Sequence, residues 1–188
     1  MPDAIIDACC FINIYATGDL RGFLQGSAWG WHIPSAALAE SLFIRVTSDK
    51  RVTSDKGDDA REPIKPQPYI NENLITLVEV EGAEEAELYV RLAGDLDDGE
   101  AMALAIAKSR GWTLATDDRK AKRFAGDLDV PVVTTPELMQ RWAKASKIQP
   151  AKLRTLLGNI QNCARFVPAE DAPCYDWWTN AIGDAPSI

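Results

Sequence analysis

Residues 96–123, LDDGEAMALAIAKSRGWTLATDDRKAKR, decide the fold. They read as a helix, a glycine turn, a short strand and the start of a second helix. Asp97, Asp98 and Glu100 open the first helix, whose apolar content is Ala101, Leu104, Ala105 and Ala107. Gly111 ends it, as a residue free to adopt a left-handed conformation often does. Residues 112–115 form a short apolar run leading to Thr116, and Asp117 and Asp118 follow. In an α/β sheet, groups just past the C-terminal end of a strand face the ligand crevice. Two separate segments therefore deliver carboxylates toward one place. The same residues also fit helix capping: Asp97 and Glu100 have the spacing of a capping box, and Asp117 suits the N-cap of the next helix. Capping and cation binding both stand at this point.

The flanking sequence alternates strand and helix. Residues 4–10, AIIDACC, read as a buried first strand interrupted by Asp7. A carboxylate in such a run is costly unless it is paired, hydrogen-bonded or bound to a cation, and no basic residue precedes Arg21. Residues 11–16 predict a helix, from which Asn13 would reach back toward Asp7. Residues 31–33 form a short strand candidate. A helix over 35–45 follows, placing Glu40 on an apolar stripe with Ala36, Ala37, Phe43 and Ile44. Residues 74–80 and 130–134 predict two more strands. Residues 84–93 predict a charged, exposed helix, and residues 134–146 and 150–162 two further helices. The expectation is a single α/β domain over residues 1–165, its central parallel sheet covered by helices on both faces. Residues 166–188 read as an irregular tail packed on that domain and carrying Trp177 and Trp178.

The hexapeptide RVTSDK occurs twice in tandem, over 45–50 and 51–56, inside a polar, proline-rich stretch read as a long connection over 47–68. Such a loop could gate the site or touch a partner.

Composition bounds the chemistry. The chain has 188 residues, 46% hydrophobic and 26% charged, enough for one domain with a real core. It has no 18-residue apolar run and no basic leader followed by an apolar segment, so the expectation is a cytoplasmic protein with no membrane span. The four cysteines, Cys9, Cys10, Cys163 and Cys174, form no CxxC pair and read as buried reduced thiols. With His32 the single histidine, a zinc site and a Ser/His/Asp nucleophile scheme are both disfavoured. Net charge is −8, yet residues 139–165 hold six basic and no acidic side chains. Arg119, Lys120, Lys122 and Arg123 form a second cluster directly after Asp118. Basic surface beside an acidic pocket suits a polyanion held while a cation acts on it; a solvated helix face is the alternative for 139–165.

Asp7, Glu40, Glu100, Asp117 and Asp118 are the candidate site. Carboxylates converging on one pocket repel each other, and hard divalent cations relieve that repulsion. The reaction class that follows is metal-dependent phosphodiester hydrolysis. Phosphatases and phosphorelay receivers fit less well, because the second Asp of a DxD motif would fall on Cys9, and Asp3 and Asp7 lack a receiver's spacing.

The order IIDACCFIN, PSAALAE, DDGEAMALAIAKSRG, LATDDRKAK and VPVVTT resembles a PIN domain, including the VapC-like ribonuclease toxins of toxin–antitoxin pairs. The resemblance implies catalytic and metal-holding roles for Asp7, Glu40, Glu100 and Asp118, with Asp117 beside them and Asn13 and Thr116 in support. Glu100 stands where many members carry Asp, and the 45–68 insertion follows the Glu40 helix. The resemblance further implies an Mg²⁺- or Mn²⁺-dependent endoribonuclease, often a homodimer and often silenced by an antitoxin protein. Arg119, Lys120, Lys122 and Arg123 would bind RNA phosphates. A catalytically silent PIN-like module binding RNA or a protein partner is the other expectation.

Overall fold

The computed structural model describes residues 1–39, 43–45 and 61–183. In chain order the first elements are β1 (Asp3–Ile6), α1 (Ala8–Ala16), α2 (Leu20–Gly26), β2 (Gly30–Pro34), α3 (Ser35–Ala39), β3 (Phe43–Arg45), β4 (Arg61–Pro63), α4 (Gln67–Asn71) and β5 (Thr76–Val78). Then come α5 (Gly82–Leu92), α6 (Asp98–Arg110), β6 (Thr113–Ala115), α7 (Arg119–Asp127), β7 (Val132–Val133), α8 (Thr135–Ala145), α9 (Pro150–Asn159) and α10 (Tyr175–Ile182). A π-helical turn, Ile160–Ala164, continues α9.

Five strands form one parallel sheet in the order β5-β2-β1-β6-β7. The first strand is therefore the central one. Its side chains alternate between faces as strand geometry requires. Ala4 and Ile6 join the core packed by α1, α2, α8, α9 and α10, while Ile5 joins the core packed by α5, α6 and α7. Helix α6 is buried without a break from Ala101 to Ala107, which its alanine content permits because small side chains let neighbours approach on every side. Asp97 caps its start and Gly111, at φ +68°, closes its end.

Four expectations need correction. The first strand stops at Ile6, and Cys9 and Cys10 lie in α1. Asp7 ends the strand because its Oδ1 accepts the Cys10 N–H at 2.8 Å, which makes it the N-cap of α1. The helix expected over 35–45 does not extend that far: 43–45 is a strand, antiparallel to β4 with Ile44 opposite Glu62. Aromatic and β-branched residues at Phe43 and Ile44 suit that pairing. The expected loop over 47–68 contains β4 and the start of α4, and the rest of it, with most of the tandem hexapeptide, lies outside the described residues. The C-terminal stretch is not irregular throughout. Helix α10 seats Trp178, fully buried, edge-on to Phe166 with ring centroids 5.9 Å apart.

Candidate active site

The order of the sheet creates a crevice. From β1 the chain moves to β2 on one side, and β6 pairs with β1 on the other, so the C-terminal ends of β1 and β6 flank a topological switch point. Asp7 follows β1, and Thr116, Asp117 and Asp118 follow β6. The Asp7 N–H donates to Ala115 O at 3.1 Å, which locks the two strand ends together.

Asp7 is 2% exposed, and among the described residues no cation pairs with it. Burial pushes its carboxyl up to about 7, against hydrogen bonds from Thr116, Cys10 and Cys9, and the nearby Asp117 charge raises it further. Cys9 Sγ lies 3.1 Å from both Asp7 oxygens. Glu100, half-buried in the first turn of α6, is also raised to about 7, by desolvation first and then by the charges of Asp97, Asp118 and Asp7. These two shifts link Asp7, Glu100, Asp117 and Asp118 electrostatically. Like charges gathered at the end of a sheet, with desolvation acting on two of them, are an arrangement whose repulsion a cation would relieve.

The paired aspartates after β6 have different employments, and the expectation for Asp117 is reversed. Asp118, not Asp117, caps α7: its Oδ1 accepts the N–H groups of Lys120 at 2.7 Å and Ala121 at 2.8 Å. Its own N–H donates to Thr116 Oγ1 at 3.1 Å. Asp117 instead turns toward α8. Its Oδ1 accepts the Thr135 N–H at 3.0 Å, and its Oδ2 accepts from Asn13 Nδ2 at 2.9 Å, Cys10 Sγ at 3.2 Å and the Thr135 hydroxyl. An anion at a helix N-terminus meets unpaired N–H groups and the positive end of the helix dipole. Asn13 thus reaches Asp117 rather than Asp7. Thr135 is the residue that sequence reasoning missed; the TTP start of α8 marked a helix but gave no sign of a clamp on Asp117. Glu40 lies outside the described residues.

A cavity of about 170 Å³ is lined by Asp7, Cys9, Ile12, Asp97 and Glu100. A wider groove of about 490 Å³ is lined by Asp117, Arg119, Lys122, Val167, Pro168 and Asp171 among others. Of the expected phosphate-binding residues, Arg119 is exposed and 3.8 Å from the exposed Asp171. Lys120 donates to the Asp95 carbonyl, and Arg123 lies over the Phe124 ring, 5.2 Å from its centroid. In the 139–165 stretch Lys152 is tied to Asp19 at 2.7 Å and Arg141 to Glu137 at 3.9 Å, so part of that basic run is neutralised locally.

A family model for the PIN domain matches residues 3–171. The chain belongs to the PIN-domain family. A search of curated proteins returned no match. PIN domains are generally nucleases and typically depend on a divalent metal. The carboxylates around Asp7 are the hard oxygen donors such an ion takes, and among the described residues the group whose ligand atoms lie within 4.8 Å of one another is Asp7, Cys9 and Cys10. In this PIN domain the N-cap role of Asp118 and its place beside Glu100 can be separated by substitution. Asp118→Ala should lose about 1 kcal/mol of stability through the lost cap, whereas Asp118→Asn, itself a good cap, should lose little. Urea unfolding of both variants checks this; equal losses would remove the cap from the account.

Proposed function

We propose that this PIN domain is an endoribonuclease that hydrolyses RNA phosphodiester bonds with Mg²⁺ or Mn²⁺. The observation that carries the reading is Asp7, buried at the switch point with no cation partner among the described residues and electrostatically coupled to Asp117 and Glu100. Asp7, Glu100 and Asp118 would hold the ion, with Glu40 as the fourth carboxylate expected from the sequence. Asp117, held by Thr135, Asn13 and Cys10, would position the others. Thr116 holds Asp7 and the Asp118 N–H in register. A bound Mg²⁺ or Mn²⁺ would supply an activated water and charge neutralisation at the phosphate. Arg119 and Lys122 would seat the strand's phosphates in the wider groove, with Lys120 and Arg123 extending the track; such contacts position without reading sequence.

We further read the protein as the cytoplasmic toxin of a toxin–antitoxin pair, acting as a homodimer and silenced by an antitoxin. The deciding experiment is cleavage of a mixed RNA pool with Mn²⁺ or Mg²⁺, using EDTA and Asp118→Asn as controls. Cleavage that needs the metal and fails in the variant supports the nuclease. A folded protein that cuts nothing under either metal would favour the silent module that binds RNA or a protein partner. If Arg119 and Lys122 each hold one phosphate, their double alanine variant should flatten the dependence of log affinity for single-stranded RNA on log salt by about 1.4. Fluorescence anisotropy across a salt series measures it, and an unchanged slope removes these two side chains from the track.

A further inference from the structure

We propose that Asp7, Cys9 and Cys10 form a thiolate-bearing site for a thiophilic divalent cation such as Zn²⁺. Its occupation would exclude the hard ion from the same crevice and silence the chain. The binding half rests on geometry alone; the silencing half rests on the nuclease reading.

One ligand atom from each of Asp7, Cys9 and Cys10 lies within 4.8 Å of the others. Tetrahedral zinc, with Zn–S bonds of about 2.3 Å and Zn–O bonds of about 2.1 Å, sets its ligand atoms about 3.5–3.8 Å apart. Small side-chain adjustments therefore close the triad on one centre. Cys9 Sγ is already 3.1 Å from the Asp7 oxygens, and solvent would complete the coordination. Cys10 is fully buried and Asp7 nearly so, and among the described residues no cation offsets Asp7, so a bound cation would be its counter-charge. The thiols remain available as ligands rather than bridging each other. Consecutive Cα atoms stand about 3.8 Å apart, below the span a disulfide needs. On ligation each thiol gives its proton to solvent and binds as thiolate. Sulfur ligands select a softer ion than the all-oxygen set formed by Asp7, Glu100 and Asp118, so the two modes share Asp7 and differ in metal.

The test is a Co²⁺ titration of the full chain, followed by the intense ultraviolet band of thiolate-to-cobalt charge transfer, with Zn²⁺ added to displace it. The expected result is a saturable band bleached by Zn²⁺. It should be lost in a Cys9→Ser/Cys10→Ser variant whose circular dichroism is unchanged, and apparent Zn²⁺ affinity should fall at least 100-fold. Cys163→Ser/Cys174→Ser should retain the band. A missing band in the folded parent chain, or a band that survives Cys9→Ser/Cys10→Ser, overturns the site. Cleavage in Mn²⁺ with rising Zn²⁺, each protein normalised to its own Zn²⁺-free rate, tests the silencing. The parent should lose activity at Zn²⁺ concentrations that leave the double-serine variant unaffected, and equal sensitivity overturns it. A chain that shows the band and cuts no RNA keeps the site and overturns the nuclease reading instead.

Discussion

Asp7→Asn is expected to cut metal-dependent RNA cleavage by about 100- to 1000-fold, the scale of removing one group that stabilises charge in a transition state. The fold should survive. Asn keeps an oxygen for the Cys10 N–H, so the cap of α1 persists. The metal-free variant should even be more stable at neutral pH. Folding takes the Asp7 carboxyl from its ordinary value near 4 up to about 7, chiefly through burial. Because the folded state then holds a proton that the unfolded state has released, stability is greatest at the acid end of that window. It falls as pH rises from about 4 to about 7, by no more than about 4 kcal/mol from this residue. Glu100 adds to the slope in the same direction. Denaturation of the EDTA-treated protein at pH 5 and pH 8 should show the loss, and Asp7→Asn should flatten it. Full cleavage by Asp7→Asn would remove the carboxylate from the site. A parent chain more stable at pH 8 than at pH 5 would contradict the buried, unpaired carboxyl.

Arg110→Ala is expected to cost about 3 kcal/mol, one of the largest single losses available outside the apolar core. Glu85 is 6% exposed and accepts Arg110 Nε at 2.8 Å, Arg110 Nη2 at 3.0 Å and the Glu81 N–H at 2.7 Å. Arg110 also donates to Glu79 O at 2.9 Å and lies over the Trp112 ring. One side chain thus ties the last turn of α6 to α5 and to the exit of β5. Removing it strands a buried carboxylate, so the single variant should lose more than Arg110→Ala/Glu85→Ala, in which both charges go. A loss of about 3 kcal/mol should lower Tm by about 6–12 °C in a chain of this size. The Arg110 guanidinium holds the Glu85 carboxyl below its usual range, so its contribution is present above the usual carboxylate pKa and fades as pH falls, opposite in sign to Asp7. A loss below 1 kcal/mol would mark the pair as an ordinary surface bridge.

The alternation of apolar strands and helices was enough to reach a parallel α/β sheet, because buried strands read as unbroken apolar runs wherever they lie. Their ends were harder to place. Residues 4–10 look continuous, yet the Asp7 side chain starts a helix there by capping it, a local hydrogen bond that competes with the strand and leaves no trace in hydrophobicity. Glu85 misled for a related reason. Helix α5 carries three glutamates close together, and only the partner on α6, 25 residues later, shows that one of them faces inward. For the site, the segments were legible and the division of labour was not. Asp117 and Asp118 are neighbours of identical type, and which one caps and which is clamped depends on Thr135, delivered by a strand and helix further along.

The central strand of the sheet is the first segment of the chain, and its neighbour β6 arrives more than a hundred residues later. During synthesis, Asp7 emerges with nothing to converge on. The crevice closes only after residue 118 of 188 has been added, and the Thr135 clamp on Asp117 later still. A nascent or prematurely terminated chain therefore carries no assembled acidic pocket, and exposes an unpaired edge of its middle strand that invites aggregation and clearance. If the chain cuts RNA as proposed, late closure would withhold that activity until most of the chain has been made.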